Sequence, residues 1–172
     1  YDNVVYKLDT YEKNDILLLT IILPNSAIEI GNYAFYGCSK LAAITLCDSL
    51  AAIGDYSLYG TILTQITIPK SVITIGDYAF AASSSGGKIV SNGVTFAPGG
   101  TQDLYLGTKV FNNQSKITTL TLPARISDLY TASNPAGTIS YKNVSARFEG
   151  MISLATINIE SAPAGQFSTY SS

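Results

Sequence analysis

The chain has 172 residues, of which 47% are hydrophobic and only 13% charged, so a folded domain with a sizeable core is favoured over a disordered segment. A net charge of −2 with 10 basic residues leaves no basic footprint of the kind that nucleic-acid binding requires. The absence of histidine removes the commonest general base and metal ligand, and no apolar run approaches the ~18 residues of a membrane span.

The N-terminal segment, residues 1–17, differs from everything that follows. Its apolar residues alternate at Val4, Tyr6 and Leu8, which predicts a short strand, and a polar stretch comes next. Because the first unit of a stack of repeats has an open end, we expect this segment to act as a cap.

From Leu18 onward the sequence repeats itself. The glycines of three similar stretches, Gly31, Gly54 and Gly76, are spaced by 23 and 22 residues. Self-similarity at this period is typical of a solenoid, in which each repeat packs only on its neighbours. We therefore predict a single domain over residues 1–172, with about six repeats between residues 18 and 160.

Each repeat begins with an apolar alternation that predicts a short strand. When the repeats are aligned, large apolar residues form two rows on the same side of the strands: Ile21, Ile44, Ile66, Val94, Leu120 and Ile157, then Leu23, Leu46, Ile68, Phe96, Leu122 and Ile159. The sequence thus predicts six parallel strands in one continuous sheet, with these rows in the core beneath it.

The opposite face of the predicted sheet is polar and nearly uncharged. Short neutral side chains lose little entropy when they are covered, and they avoid the desolvation penalty of charges. We therefore expect a protein partner on this face, with the insertion Tyr130–Asn143 at one margin. The candidate binding residues are Thr45, Gln65, Thr67, Thr95, Thr119, Thr121, Thr156 and Asn158.

The second half of each repeat supplies the rest of the predicted core. One row contains Ile30, Ile53, Ile75 and Leu129, and another contains Phe35, Leu58, Phe80, Phe111 and Phe148. Between these rows, Asn32, Asp55, Asp77 and Thr108 follow a glycine and belong to the class that caps helices. The pattern predicts one helical or 3-10 turn per repeat, ended by a left-handed residue at Gly37, Gly60, Asn113 or Gly150.

The repeat is interrupted near residues 83–102 and 130–143, and it fades into an irregular end at residues 161–172. Such insertions are expected to form loops, which often carry binding. The two cysteines, Cys38 and Cys47, occupy different phases of the repeat, so apolar fillers are favoured over a disulfide, which stays an open alternative.

Catalytic and metal sites are not predicted. Asp55 and Asp77 suggest a calcium ladder, but their spacing differs from the nine-residue pattern of calcium-binding β-rolls, and Asn32 and Thr108 hold equivalent positions. We expect no cofactor and no enzymatic activity, since no pair of acids converges as a glycosidase would require.

The repeated phrase, most complete in residues 21–41 and 66–80, resembles the BspA-like branch of the leucine-rich repeat family. That resemblance implies a right-handed coil with a parallel sheet on one side and short helical or 3-10 turns on the other. It also implies a secreted or cell-surface protein with a role in adhesion. The family's adhesion has no residue motif, so no binding residue follows from the resemblance.

Two functions are therefore carried forward. The first is a non-enzymatic extracellular interaction module that binds protein ligands through an extended surface. The alternative is a carbohydrate-binding module that uses the Thr/Gln/Asn face. A row of Tyr33, Tyr56 and Tyr78 is the second candidate surface, and Tyr36 and Tyr59 repeat in another row. Tyrosine is enriched at interfaces, but the alternative that these rings only cover an apolar edge stays open.

Overall fold

A computed structural model describes residues 20–84, 86–126 and 147–160 of the chain. The N-terminal segment 1–17, Leu129, the insertion 130–143 and the C-terminal end 161–172 lie outside the described residues. Ten short strands are described, namely β1 (Thr20–Ile22), β2 (Glu29–Ile30), β3 (Ala43–Thr45), β4 (Ala52–Ile53), β5 (Ile66–Ile68), β6 (Thr74–Ile75), β7 (Val94–Phe96), β8 (Tyr105–Leu106), β9 (Thr119–Leu122) and β10 (Thr156–Ile159).

Six of these strands are the ones that the apolar alternation predicts. They pair in parallel as β1 with β3, β5 with β7, and β9 with β10, with Ile21 opposite Ile44 and Ile66 opposite Val94 as expected. The prediction of one continuous sheet is wrong, because the six strands form three hydrogen-bonded pairs. Strands of three or four residues make few hydrogen bonds, so a small separation between neighbours is enough to open the ladder.

A second set of strands forms the longer sheet. The two-residue strands β2, β4, β6 and β8 pair in parallel in that order. Their register places Ile30, Ile53, Ile75 and Leu106 in one buried row. Leu106 is thus a member of this row that the sequence alignment did not include. Strands this short carry no alternation, which is why periodicity alone does not reveal them.

The prediction of helical or 3-10 turns is wrong. The described residues between Thr20 and Ile126 contain no helix, and the segments after Gly31, Gly54 and Gly76 are successive β-turns. In the first of them, alternate amides bond locally, as from Ala34 to the Gly31 carbonyl, 3.2 Å away. The amides in between reach the next repeat, as from Phe35 to the Ser57 carbonyl at 2.7 Å. In a helix, all of these amides would instead donate to carbonyls of their own segment.

Both sets of strands contribute to one hydrophobic core. Fully buried members come from each row, including Ile53, Ile68, Phe80 and Phe111. The Phe80 and Phe111 rings stack with centroids 5.5 Å apart. Burying each such side chain contributes roughly 1.5–3 kcal/mol, so the stacked apolar rows are the main source of stability.

The predicted left-handed residues at the ends of the turns are confirmed. Gly37, Gly60, Asn113 and Gly150 have φ angles of 71°, 75°, 61° and 81°. Glycine and asparagine adopt this conformation with the least strain, which explains why these residue types recur there.

The insertion after Phe80 is held by a buried amide. The Gln114 side chain donates to the Phe80 carbonyl at 2.7 Å and accepts from the Ile89 amide at 3.3 Å. Gln114 is only 4% exposed and stands where the first repeat has Cys38. Because a buried amide must find partners, its two hydrogen bonds fix the path of the longer loop across the core.

Both cysteines are free thiols. Cys47 is buried in the core, where its Sγ lies 3.1 Å from the Ala27 carbonyl oxygen, and Cys38 is half-buried. The interpretation of Cys47 as an apolar filler is confirmed, since a free cysteine behaves as a small hydrophobic residue.

Candidate binding surfaces

The predicted binding residues lie along the outward side of the first set of strands, which we call the threonine face. The residues that define it are Thr45, Gln65, Thr67, Thr95, Thr119, Thr121, Thr156 and Asn158. Six of them are exposed, whereas Thr119 and Thr121 are half-buried. The register brings Thr67 opposite Thr95, Thr119 opposite Thr156 and Thr121 opposite Asn158.

Hydroxyl contacts hold part of this face in place. The Oγ1 atoms of Thr67 and Thr95 are 3.0 Å apart, and Thr95 Oγ1 also lies 3.4 Å from the Ile66 carbonyl. At the edge of the first pair, Ile22 lies opposite Thr45 and is 75% exposed. The described face is therefore a neutral surface of short side chains with an apolar residue at one end.

A second surface is formed by five tyrosines, Tyr33, Tyr36, Tyr56, Tyr59 and Tyr78, which we call the tyrosine patch. Rings of successive repeats stack: Tyr33 on Tyr56 at 5.2 Å, Tyr56 on Tyr78 at 4.7 Å, and Tyr36 on Tyr59 at 5.0 Å between centroids. The two columns meet at tilts of 51° to 56°. The sequence indicated both columns and not the contacts between them.

The tyrosines of the first column have an unusual backbone. Tyr33, Tyr56 and Tyr78 have φ angles of 60°, 53° and 54°, a region that residues with bulky side chains seldom adopt. Each amide donates to a carbonyl of the next repeat, as from Tyr33 to Asp55 at 2.8 Å. The hydrogen bonds between repeats and the stacked rings together stabilise this strained conformation.

One end of the patch is covered by a charged side chain. Lys109 Nζ lies 5.8 Å from the centroid of the Tyr78 ring and forms an ion pair with Glu149 at 2.9 Å. Hydrogen bonds that Lys109 donates to Glu149 and Tyr78 raise the pKa of Lys109. Desolvation, followed by the neighbouring phenols Tyr78 and Tyr33, raises the pKa of Tyr56. Tyr56, at the centre of the patch, therefore stays neutral at physiological pH.

The Asn/Asp residues beside the tyrosines form a ladder between repeats. The Oδ1 atom of Asn32 accepts from the Asp55 amide, that of Asp55 from the Asp77 amide, and that of Asp77 from the Thr108 amide, at 2.7–2.8 Å. The prediction that these side chains cap their own turns is wrong. Because the turn is not helical, each side-chain oxygen accepts from an amide of the next repeat instead of an amide of its own turn.

The glycines before this ladder are required by the close approach. A Cβ built on Gly76 would lie 2.6 Å from the Asp55 nitrogen and 2.8 Å from the Gly54 carbonyl carbon. Gly54 and Gly107 meet the same obstruction from the repeats before them. A close approach between the backbones of neighbouring repeats therefore explains the glycine at these positions.

A shallow groove of about 400 Å³ runs over the outer side of β4, β6 and β8. Its lining includes Glu29, Asn32, Asp55, Thr74 and Tyr105. The described residues contain no group of three or more Cys, Asp or Glu side chains arranged to hold a metal ion. Over the same residues, no helix has the length and apolar character needed to cross a bilayer.

The repeats are recognised by comparison with known proteins. A model of the BspA type leucine rich repeat region matches residues 10–134, in six copies. The chain belongs to this family. The strands β1 to β9 and the apolar rows up to Ile126 thus lie within the BspA-type repeats.

One solved structure is similar to part of the chain. A leucine-rich repeat protein from Bacteroides ovatus ATCC 8483 is 28% identical, with a TM-score of 0.38, over 62% of this chain and 32% of its own length. The chain thus matches about a third of that protein. No curated protein matches the chain.

Proposed function

We propose that the chain is a non-enzymatic extracellular or cell-surface module whose BspA-type repeats form a right-handed solenoid. Its threonine face binds a protein ligand. Members of this family are generally associated with bacterial surfaces and adhesion, and leucine-rich repeats commonly mediate protein interactions.

The support for this proposal is the lack of charge on the strands. None of the residues in β1, β3, β5, β7, β9 and β10 is charged, although several side chains of these strands are exposed. Charged residues are depleted at the centres of protein interfaces because covering them requires desolvation. A neutral strip along stacked strands therefore suits a partner that covers several repeats at once.

The proposal is tested with labelled protein and intact epithelial cells. Binding that is lost after trypsin treatment of the cells, but kept after periodate oxidation of their glycans, is the expected result for a protein ligand. The reverse pattern would favour the carbohydrate-binding alternative, which uses the same hydroxyl-rich face.

The surface is tested by adding charge to it. The double variant Thr45→Lys, Thr67→Lys should bind cells about tenfold more weakly, since a buried unpaired charge is costly at an interface. Thr74→Lys with Thr101→Lys is a matched control, because both residues are exposed and lie outside the threonine face. Equal binding by the two variants, with unchanged melting temperatures, would exclude the threonine face as the ligand surface.

A further inference from the structure

The tyrosine patch brings several oxidisable rings into contact. The Tyr36 and Tyr59 rings lie 5.0 Å apart with an interplanar angle of 9°, and Tyr36 is 45% exposed. A small rotation of two near-parallel phenols at this separation would bring the ring carbons beside their hydroxyls together. From this arrangement, two phenoxyl radicals can form a carbon–carbon bond.

Other groups that compete for a one-electron oxidant are missing or shielded. The sequence has no tryptophan and no histidine. Met151 and Cys47 are buried. Cys38 is half-buried, and burial raises the pKa of its thiol, so little of the reactive thiolate is present. An oxidant that reaches this part of the surface therefore meets phenol rings first.

We propose that the tyrosine patch is a site of oxidative cross-linking, in which hydrogen peroxide and a peroxidase couple Tyr36 to Tyr59. Each phenol loses one electron and one proton, and the two electrons and two protons reduce one peroxide molecule to two water molecules. The radicals join through the ring carbons next to the oxygens. The hydrogens on those carbons then move to the oxygens, which restores both aromatic rings.

The Tyr36–Tyr59 pair is favoured over the first column for a backbone reason. Coupled rings must twist relative to each other, so the side chains need freedom to turn. Tyr33, Tyr56 and Tyr78 have left-handed backbones, whereas the φ angles of Tyr36 and Tyr59 are not positive. The product joins two adjacent repeats covalently and does not depend on a ligand at the threonine face.

The test is to treat the dilute folded protein with horseradish peroxidase and hydrogen peroxide. We expect a monomer whose mass is lower by two hydrogen atoms, with dityrosine fluorescence and a proteolytic product that links the peptides containing Tyr36 and Tyr59. The cross-link closes a loop between Tyr36 and Tyr59 and so lowers the conformational entropy of the unfolded chain. The oxidised protein should therefore also melt at a higher temperature than the untreated protein.

Conservative variants separate the pair from general tyrosine oxidation. Tyr36→Phe and Tyr59→Phe keep the stacked ring but should each abolish the linked peptide and the rise in melting temperature. Tyr105→Phe is the matched control, since Tyr105 is 49% exposed and has no ring contact among the described residues. The proposal is overturned if dityrosine is absent, if it forms only between molecules, or if the yield in Tyr36→Phe equals that in Tyr105→Phe.

Discussion

Single residues show where a repeat departs from its neighbours. Ser57 is fully buried, and its hydroxyl has no hydrogen-bond partner in the described structure, whereas the equivalent residues are the buried Ala34 and Ala79. A buried polar group without a partner destabilises the folded state. Ser57 therefore lowers the stability of the fold at a position where the repeats on either side have alanine.

Ser57→Ala should raise the free energy of unfolding by about 1 kcal/mol, because the unpaired hydroxyl is removed and little volume is lost. Urea denaturation of both proteins measures the change. Ala34→Ser places the same hydroxyl in the preceding repeat and should lower the stability by a similar amount. A destabilised Ser57→Ala protein would mean that the hydroxyl has a partner that the structure does not describe.

The ladder predicts different outcomes for two substitutions of Asp77. Asp77→Ala removes the acceptor of the Thr108 amide and should lower the free energy of unfolding by about 1 kcal/mol. Asp77→Asn keeps an acceptor oxygen, as Asn32 does naturally, and should be nearly neutral. Urea denaturation again distinguishes them. Equal losses in both variants would show that the carboxylate charge, rather than the hydrogen bond, stabilises the turn.

Elements of neighbouring repeats are packed closely enough to exclude a methyl group at some glycines. Gly76→Ala should lower the free energy of unfolding by about 3 kcal/mol, because its Cβ would meet backbone atoms of the previous repeat. Gly37→Asn is the control, since a Cβ at Gly37 meets nothing within 4 Å and asparagine tolerates its φ of 71°. Thermal melts of the two variants should differ clearly, and similar melts would contradict the close approach.

The sequence predicts the elements that depend on contacts along the chain and not those that depend on the neighbouring repeat. The apolar alternation gives the strands and their register because side chains alternate across a strand. The Asn32 type of residue resembles a helix cap, but its oxygen is taken by the Asp55 amide of the next repeat. A local pattern cannot show which of two nearby amides will reach an acceptor. The helical turns were predicted for this reason.

The candidate surfaces follow the same division. All eight residues of the threonine face are placed on or beside the strands from periodicity alone. The sequence also places the five tyrosines in two repeating rows, but the ring contacts between the rows depend on a turn geometry that the sequence did not reveal. That a ligand binds the threonine face or the tyrosine patch stays a prediction.

At the scale of the whole molecule, the two cysteines report on how the core opens. Cys47 is buried, and burial raises the pKa of the half-buried Cys38. Iodoacetamide should therefore modify only Cys38 in the native protein. Because the thiolate is the reactive form, the modification rate of native Cys38 should rise at a higher pH than the rate of the same cysteine in the urea-unfolded protein. Modification of Cys47 should require unfolding. Rapid modification of both thiols without urea would show that the repeats separate easily.

The ladder of Asn32, Asp55 and Asp77 has a direction. Asp55 and Asp77 each offer a side-chain oxygen to the repeat that follows and a backbone amide to the repeat that precedes. A gene duplication that copies one whole unit of 22 or 23 residues thus supplies a matching donor and acceptor on both sides of the copy. Extra residues leave the ladder intact when they fall in a loop, as in the 31-residue step from Asp77 to Thr108, but a duplication that ends within a turn would part a donor from its acceptor. Variation in the number of repeats among related genes is therefore expected to occur in whole units, while loops between strands vary freely in length.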